Sequence, residues 1–121
     1  MLEKHCINQK NATVFALIGE LGSGKTTFVQ RFARACGIKQ TITSPTFVLL
    51  KQYGNIIHID AYRLKNSKEL EDLGYYELLK DPENVIFIEW ADRINDILPE
   101  NCIKLYFRYG ENENERKISF D

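Results

Sequence analysis

No stretch of the 121-residue sequence approaches the ~20 consecutive apolar residues that a membrane-spanning helix needs. The opening Met1-Leu2-Glu3-Lys4-His5-Cys6 lacks the apolar core of a secretory leader, so a cytoplasmic protein is expected. Neither sign of charge dominates: 16 Lys and Arg against 17 Asp and Glu leave a net charge of −1, which argues against broad nucleic-acid binding by this chain alone. Cysteine is scarce. Cys6, Cys36 and Cys102 are far apart, odd in number and without metal-ligand spacing, so free thiols in a reducing compartment are expected. Cys36 falls where a helix is expected and reads as core packing. The two histidines show no ligand pattern, and His58 reads as a strand residue. No repeat or low-complexity linker interrupts the chain, and its length suits one domain over residues 1–121.

Against these absences stands one strong motif. Gly19-Glu20-Leu21-Gly22-Ser23-Gly24-Lys25-Thr26 fits G-x-x-x-x-G-K-[ST], the phosphate-binding loop. Before it lies the apolar run Thr13-Val14-Phe15-Ala16-Leu17-Ile18; after it, Thr27 to Cys36 carries apolar residues at helical spacing. A glycine-rich turn that merely opened a helix would not need all three features. Glycines let the backbone approach a phosphate chain without Cβ clashes, and their N–H groups with the helix N-terminus form a concave anion site. Lys25 would reach the β- and γ-phosphates, and Thr26 would hold Mg2+.

The helix from about Lys25 to Cys36 stops at Gly37, a suitable C′ residue. Thr41 to Thr46 is polar, hydroxyl-rich and broken by Pro45, so a loop is expected. Phe47 to Tyr53 and Ile56 to Ile59 read as strands joined by a turn at Gly54-Asn55. Asn66-Ser67-Lys68-Glu69 has capping-box spacing and opens a short helix through Leu73; another turn or two spans Tyr75 to Lys80. Val85-Ile86-Phe87-Ile88 is continuously apolar, as for a strand buried on both faces. Ala91 to Leu98 reads as helical, with Pro99 ending it, and Ile103 to Tyr109 with Arg116 to Phe120 as a terminal hairpin. A weaker strand signal covers His5 to Asn8. Strands alternating with helices, plus hairpins, predict an α/β fold. The expected form is a P-loop NTPase-like three-layer sandwich with a mixed β-sheet and a short C-terminal hairpin.

A phosphate-binding loop needs an acid to orient Mg2+, usually at the end of an apolar strand. Asp60 ends Ile56-Ile57-His58-Ile59 and Glu89 ends Val85-Ile86-Phe87-Ile88. One would hold the metal, directly or through water; the other would position or deprotonate the attacking water. An acid at a strand end can equally be a solvated terminus, but two of them beside this motif favour function. The hydroxyls of Thr43-Ser44-Pro45-Thr46 either sense the γ-phosphate, as switch loops do, or make an ordinary turn into a strand. Arg63 either stabilises phosphate charge or pairs with a nearby carboxylate. Trp90 either flanks the nucleotide or a partner, or packs in the core.

Gly-Glu-Leu-Gly-Ser-Gly-Lys-Thr-Thr-Phe from Gly19, Ser-Pro-Thr-Phe from Ser44, His-Ile-Asp-Ala-Tyr-Arg-Leu from His58 and Ile-Glu-Trp from Ile88 follow in order. In this order and spacing, over roughly Val14 to Leu98, the chain resembles the bacterial TsaE (YjeE) family. The resemblance implies a small cytoplasmic, Mg-dependent ATPase required for the threonylcarbamoyladenosine modification of tRNA. It would act with the TsaD–TsaB pair and meet tRNA only through that assembly, away from any membrane. It also implies ATP contacts along Glu20, Leu21, Gly22, Ser23, Gly24, Lys25, Thr26 and Thr27, with Trp90 contributing. Thr26 and Glu89 would hold Mg2+, and Lys25, Asp60, Glu89 and Thr46 would serve the reaction. Glu20 and Ala91 stand where the family commonly has Asp and Pro.

The competing expectations are a small P-loop kinase of a metabolite and a nucleotide-gated adaptor with little turnover. A guanine-reading Asn-Lys-x-Asp is missing, as is an arginine-rich lid over an acceptor pocket.

Overall fold

A computed structural model describes residues 11–19, 24–39, 49–109 and 116–120. Six strands form one sheet: β1 (Thr13–Gly19), β2 (Leu50–Tyr53), β3 (Ile56–Asp60), β4 (Val85–Glu89), β5 (Ile103–Tyr109) and β6 (Arg116–Phe120). Their order is β2-β3-β4-β1-β5-β6. The inner strands β3, β4, β1 and β5 run parallel, and the edge strands β2 and β6 pair antiparallel through hairpins. This is the mixed sheet expected, with the terminal hairpin in place. β2 starts later than the apolar run suggests: Leu49 is a bend, and residues 47 and 48 lie outside the described residues.

Helices cover both faces. α1 (Lys25–Ala35) lies on one, and α2 (Ser67–Asp72), α3 (Tyr75–Leu79) and a 3₁₀ segment (Ala91–Ile97) lie on the other. The strands sort their side chains by the period of two. Phe15, Leu17, Ile56, Val85 and Phe87 face α1, where they meet Val29 and Ala33. Val14, Ala16, Ile57, Ile59, Ile86 and Ile88 face the other way, against Leu70, Tyr75, Ala91 and Ile94. β4 is buried along its whole length, as its unbroken apolar run predicts.

On the α1 face the core is aromatic. Phe87 stacks on Phe15 with centroids 5.1 Å apart, and Phe32 meets Phe87 edge-on at 4.9 Å. Phe28 reaches both Phe87 and Phe107 edge-on, at 6.0 and 5.7 Å. Such pairs add roughly 0.5–1.5 kcal/mol each beyond burial, and here they clamp α1 to the parallel strands. α1 ends one residue earlier than expected, and Cys36 is exposed: the expectation that it packs in the core is corrected. Ala33 is the buried residue of that last turn, and Cys36 follows it where the chain rolls outward to Gly37, whose φ is 89°.

The Asn66 cap forms: its side chain accepts from the N–H of Glu69, whose carboxylate accepts in turn from the N–H of Lys65. The segment after Trp90 is helical but 3₁₀, interrupted at Ile94 by a non-helical φ of −127°. No described helix is long and apolar enough to cross a membrane.

Candidate functional site

Three parallel strands deliver their carboxyl ends side by side, the usual location of a ligand crevice in α/β sheets. β1 ends at Gly19, β4 beside it at Glu89, and β3 beside that at Asp60; in register, Leu17 pairs with Glu89 and Glu89 with Asp60. Alternation along β3 and β4 puts Asp60 and Glu89 on the same face as Phe87, which is the face that α1 covers. The acids are therefore neighbours above the N-terminus of α1.

α1 begins at Lys25, after Gly24 with φ 103° and ψ 11°. An L side chain would be strained in that left-handed backbone, and glycine is not. Lys25 is 4 % exposed. Its ammonium donates to the Gly19 carbonyl at 2.8 Å and lies 3.7 Å from the centre of the Trp90 ring. Burial lowers the Lys25 pKa, against the pull of Glu89, Asp60 and Asp92. Among the described residues no carboxylate forms a direct ion pair with it. A buried cation held by a carbonyl and an aromatic face suits an anionic ligand.

Thr26 follows on the first turn, and its hydroxyl donates to both Glu89 carboxylate oxygens, at 3.2 and 3.4 Å. The Thr26 and Glu89 oxygens thus converge as a hard-donor pair. Among the described residues no cluster of three or more Asp, Glu, His or Cys could hold a metal. The hydroxyl and carboxylate oxygens of Thr26 and Glu89 are of the type that Mg2+ takes, one or two from the protein and the rest from phosphate and water. Thr27 is exposed on the same turn.

Asp60 is half-buried, and one of its carboxylate oxygens accepts from the N–H of Tyr62 at 2.9 Å. Burial raises its pKa; the Tyr62 N–H opposes this, and Glu89 adds to it. Arg63 is exposed, and among the described residues it makes no ion pair, so its expected pairing with a carboxylate is not found.

Trp90 has φ 58° and ψ 40°, the one non-glycine residue with positive φ among the described residues. A left-handed backbone costs a bulky L residue roughly 1–2 kcal/mol. The N–H of Trp90 donates to Leu17 O at 3.1 Å, and its carbonyl accepts from the N–H of Arg93 at 3.0 Å. Its ring rests against Tyr62, 5.1 Å away, which lies under the Arg93 guanidinium. From this turn the indole meets the Lys25 ammonium. A cavity of about 390 Å³ opens beside it, bounded by Gly19, Trp90, Asp92 and Arg108. This volume falls in the range typical of ligand pockets.

The structure therefore brings together Lys25, Thr26, Glu89 and Trp90, with Asp60 adjoining. Glu20, Leu21, Gly22, Ser23 and the loop with Ser44 and Thr46 lie outside the described residues, as does His5 to Asn8. His58, which reads as a strand residue, is one and has a partner that the sequence did not suggest. His58 is fully buried, and its Nε2 lies 2.5 Å from Glu89 Oε2. The available signal was the period of two, which puts His58 on the same face as Asp60.

A family model described as "Threonylcarbamoyl adenosine biosynthesis protein TsaE" matches residues 2–118. A Bacillus subtilis protein named tRNA threonylcarbamoyladenosine biosynthesis protein TsaE is 36% identical over 115 residues, covering 92% of this chain and 70% of that protein. Its namesake in Rickettsia typhi is 38% identical over 117 residues, covering 93% of this chain and 79% of the relative. Among solved structures, Bacillus subtilis YdiB superposes with a TM-score of 0.70 at 29% identity, covering 96% of this chain and 72% of that one.

Proposed function

The chain belongs to the TsaE family, and on that premise we propose that it is a weak Mg-dependent ATPase serving the threonylcarbamoyladenosine modification of tRNA. One observation carries the reading: Lys25, Thr26 and Glu89 meet at the start of α1, with the cation buried and lacking a direct carboxylate partner among the described residues.

ATP is the substrate. Its β- and γ-phosphates would draw the Lys25 ammonium away from the Gly19 carbonyl and the Trp90 ring. Thr26 and Glu89 would hold Mg2+, which when bound neutralises charge on the phosphate oxygens. Asp60 is the base. A carboxylate whose pKa is raised by burial takes a proton more readily, so it suits the water that attacks the γ-phosphorus. That water forms the new P–O bond, the bond to the β-phosphate oxygen breaks, and ADP and phosphate leave. Trp90 covers the lysine and excludes water from its side.

Turnover by the chain alone should be slow. Among the described residues Lys25 is the one buried cation, while Arg63 is exposed and Arg93 sits against Tyr62. Sites without a transition-state arginine run slower by ~10³–10⁵. TsaD with TsaB would supply that cation or bring Ser44 and Thr46 to the γ-phosphate, and the assembly would engage tRNA, since this chain carries a net charge of −1. The test is single-turnover phosphate release by the chain alone, then with the purified pair. A rise of tenfold or more is expected. Fast turnover unaffected by partners that bind would refute the division, and failure to bind ATP would refute the whole reading.

A further inference from the structure

His58 has no place in the reaction described above, yet it is 0 % exposed, and among the described residues its Nδ1 has no hydrogen-bond partner. It stands on β3 between Ile57 and Ile59, with Phe87 as its register partner on β4. An aliphatic residue would fill that position without burying an unpaired nitrogen. The one hydrogen bond of the ring runs diagonally across the strands to Glu89 Oε2, at 2.5 Å. Thr26 donates to the same oxygen at 3.2 Å and to Oε1 at 3.4 Å. Oε2 therefore has two partners, and Oε1 has only the longer Thr26 contact.

We infer that His58 is a positioning residue: its Nε2–H holds the Glu89 carboxylate in the place from which it would take the metal of the nucleotide complex. The inference rests on the Mg-ATP reading and deepens it. The proton belongs on Nε2, because Glu89 is an acceptor and Nδ1 faces no acceptor among the described residues. Outer-shell partners of this kind orient a metal-binding side chain, and their loss typically weakens metal affinity 10–100-fold. β3 and β4 are adjacent central strands, so the histidine holds the carboxylate from within the sheet rather than from a loop.

The experiment measures Mn2+ binding by electron paramagnetic resonance at saturating non-hydrolysable ATP analogue. It compares the wild-type chain with His58→Gln, His58→Asn and His58→Leu. The Gln side-chain nitrogen reaches about as far as Nε2, whereas Asn falls short and Leu cannot donate. Mn2+ affinity within about twofold of wild type is expected for Gln, and a loss of roughly tenfold or more for Asn and Leu. Metal-free ATP affinity should be unchanged throughout. If His58→Leu binds Mn2+ as tightly as wild type, or Gln loses as much as Leu, the inference fails. No Mn2+ bound by wild type in the presence of the analogue would instead overturn the Mg-ATP reading. A second measurement needs no variant at this position: long-range ¹⁵N NMR of the wild-type chain, with His5→Gln to assign the two histidines. A proton on Nε2 supports the bond to Glu89; a bare Nε2, with the ring proton on Nδ1 alone, refutes it.

Discussion

Replacing Lys25 by methionine separates a binding lysine from a structural one. Methionine keeps the unbranched apolar stem of the side chain and removes the ammonium group. In the fold, the ammonium gains one hydrogen bond to Gly19 O and the face of Trp90. These are worth roughly 1.5–3 and up to about 2 kcal/mol. Against them stands the removal of a cation from water, which costs several kcal/mol in a buried site. The direction of the Lys25 pKa, lowered by burial despite Glu89, Asp60 and Asp92, says that this cost outweighs their pull. The opposing contributions should leave stability within about 1 kcal/mol of wild type, a melting shift of no more than about 5 °C. Nucleotide binding has no such compensation. Two charge-assisted contacts to phosphate at roughly 1.5–3 kcal/mol each imply a loss of at least about a hundredfold in affinity. Isothermal titration of ATP, paired with thermal melts followed by circular dichroism, reads both quantities. A variant that melts 10 °C lower, or one that still binds ATP within threefold of wild type, would refute the reasoning.

The two acids should fail differently. Glu89→Ala should raise the Mg2+ concentration needed for half-maximal turnover by about tenfold, while Asp60→Ala should lower the rate with little change in metal demand; identical metal titrations would reject the assignment. Phe87→Ala removes the fully buried ring that contacts Phe15, Phe28 and Phe32, and should cost about 3–5 kcal/mol in urea unfolding; a loss under 1 kcal/mol would mean that the aromatic cluster does not clamp α1. The last prediction concerns pH. Burial raises the Asp60 pKa, so the folded chain holds that proton more firmly than the unfolded chain, and stability falls as pH rises through the folded value. In melts with chelator, Asp60→Asn should therefore gain nothing at pH 3, and its advantage should grow once pH passes above the ordinary carboxylate range. An advantage independent of pH would show that the carboxylate is not penalised.

Much of this protein is readable in one dimension, because the signals that position its elements are local. The glycines and Lys25 of the phosphate loop stand between an apolar run and a helical period. Gly54-Asn55 turns a hairpin, Asn66 caps a helix, and the unbroken run Val85 to Ile88 announces a strand covered on both faces. Each depends on residues within a few positions of one another. Asp60 and Glu89 are legible in the same way, since each ends an apolar strand.

Tertiary structure alone decided which groups meet. The parallel register of β3, β4 and β1 puts Asp60 beside Glu89 and Glu89 beside Leu17, and no local pattern encodes the pairing of strands distant in sequence. The same register brings His58 to Glu89, so a residue that reads as plain strand becomes the partner of the acid. The left-handed turn at Trp90 goes against the preference of a bulky residue, and contacts to Leu17, Lys25, Tyr62 and Arg93 hold it there. Cys36 makes the same point in reverse: its apolar, helical setting suggested burial, but it lies at the end of α1, beyond the last turn that Ala33 anchors to the sheet. Sequence period specifies a face and an element; which faces and ends come together depends on non-local packing, and the geometry of the site lies in that packing.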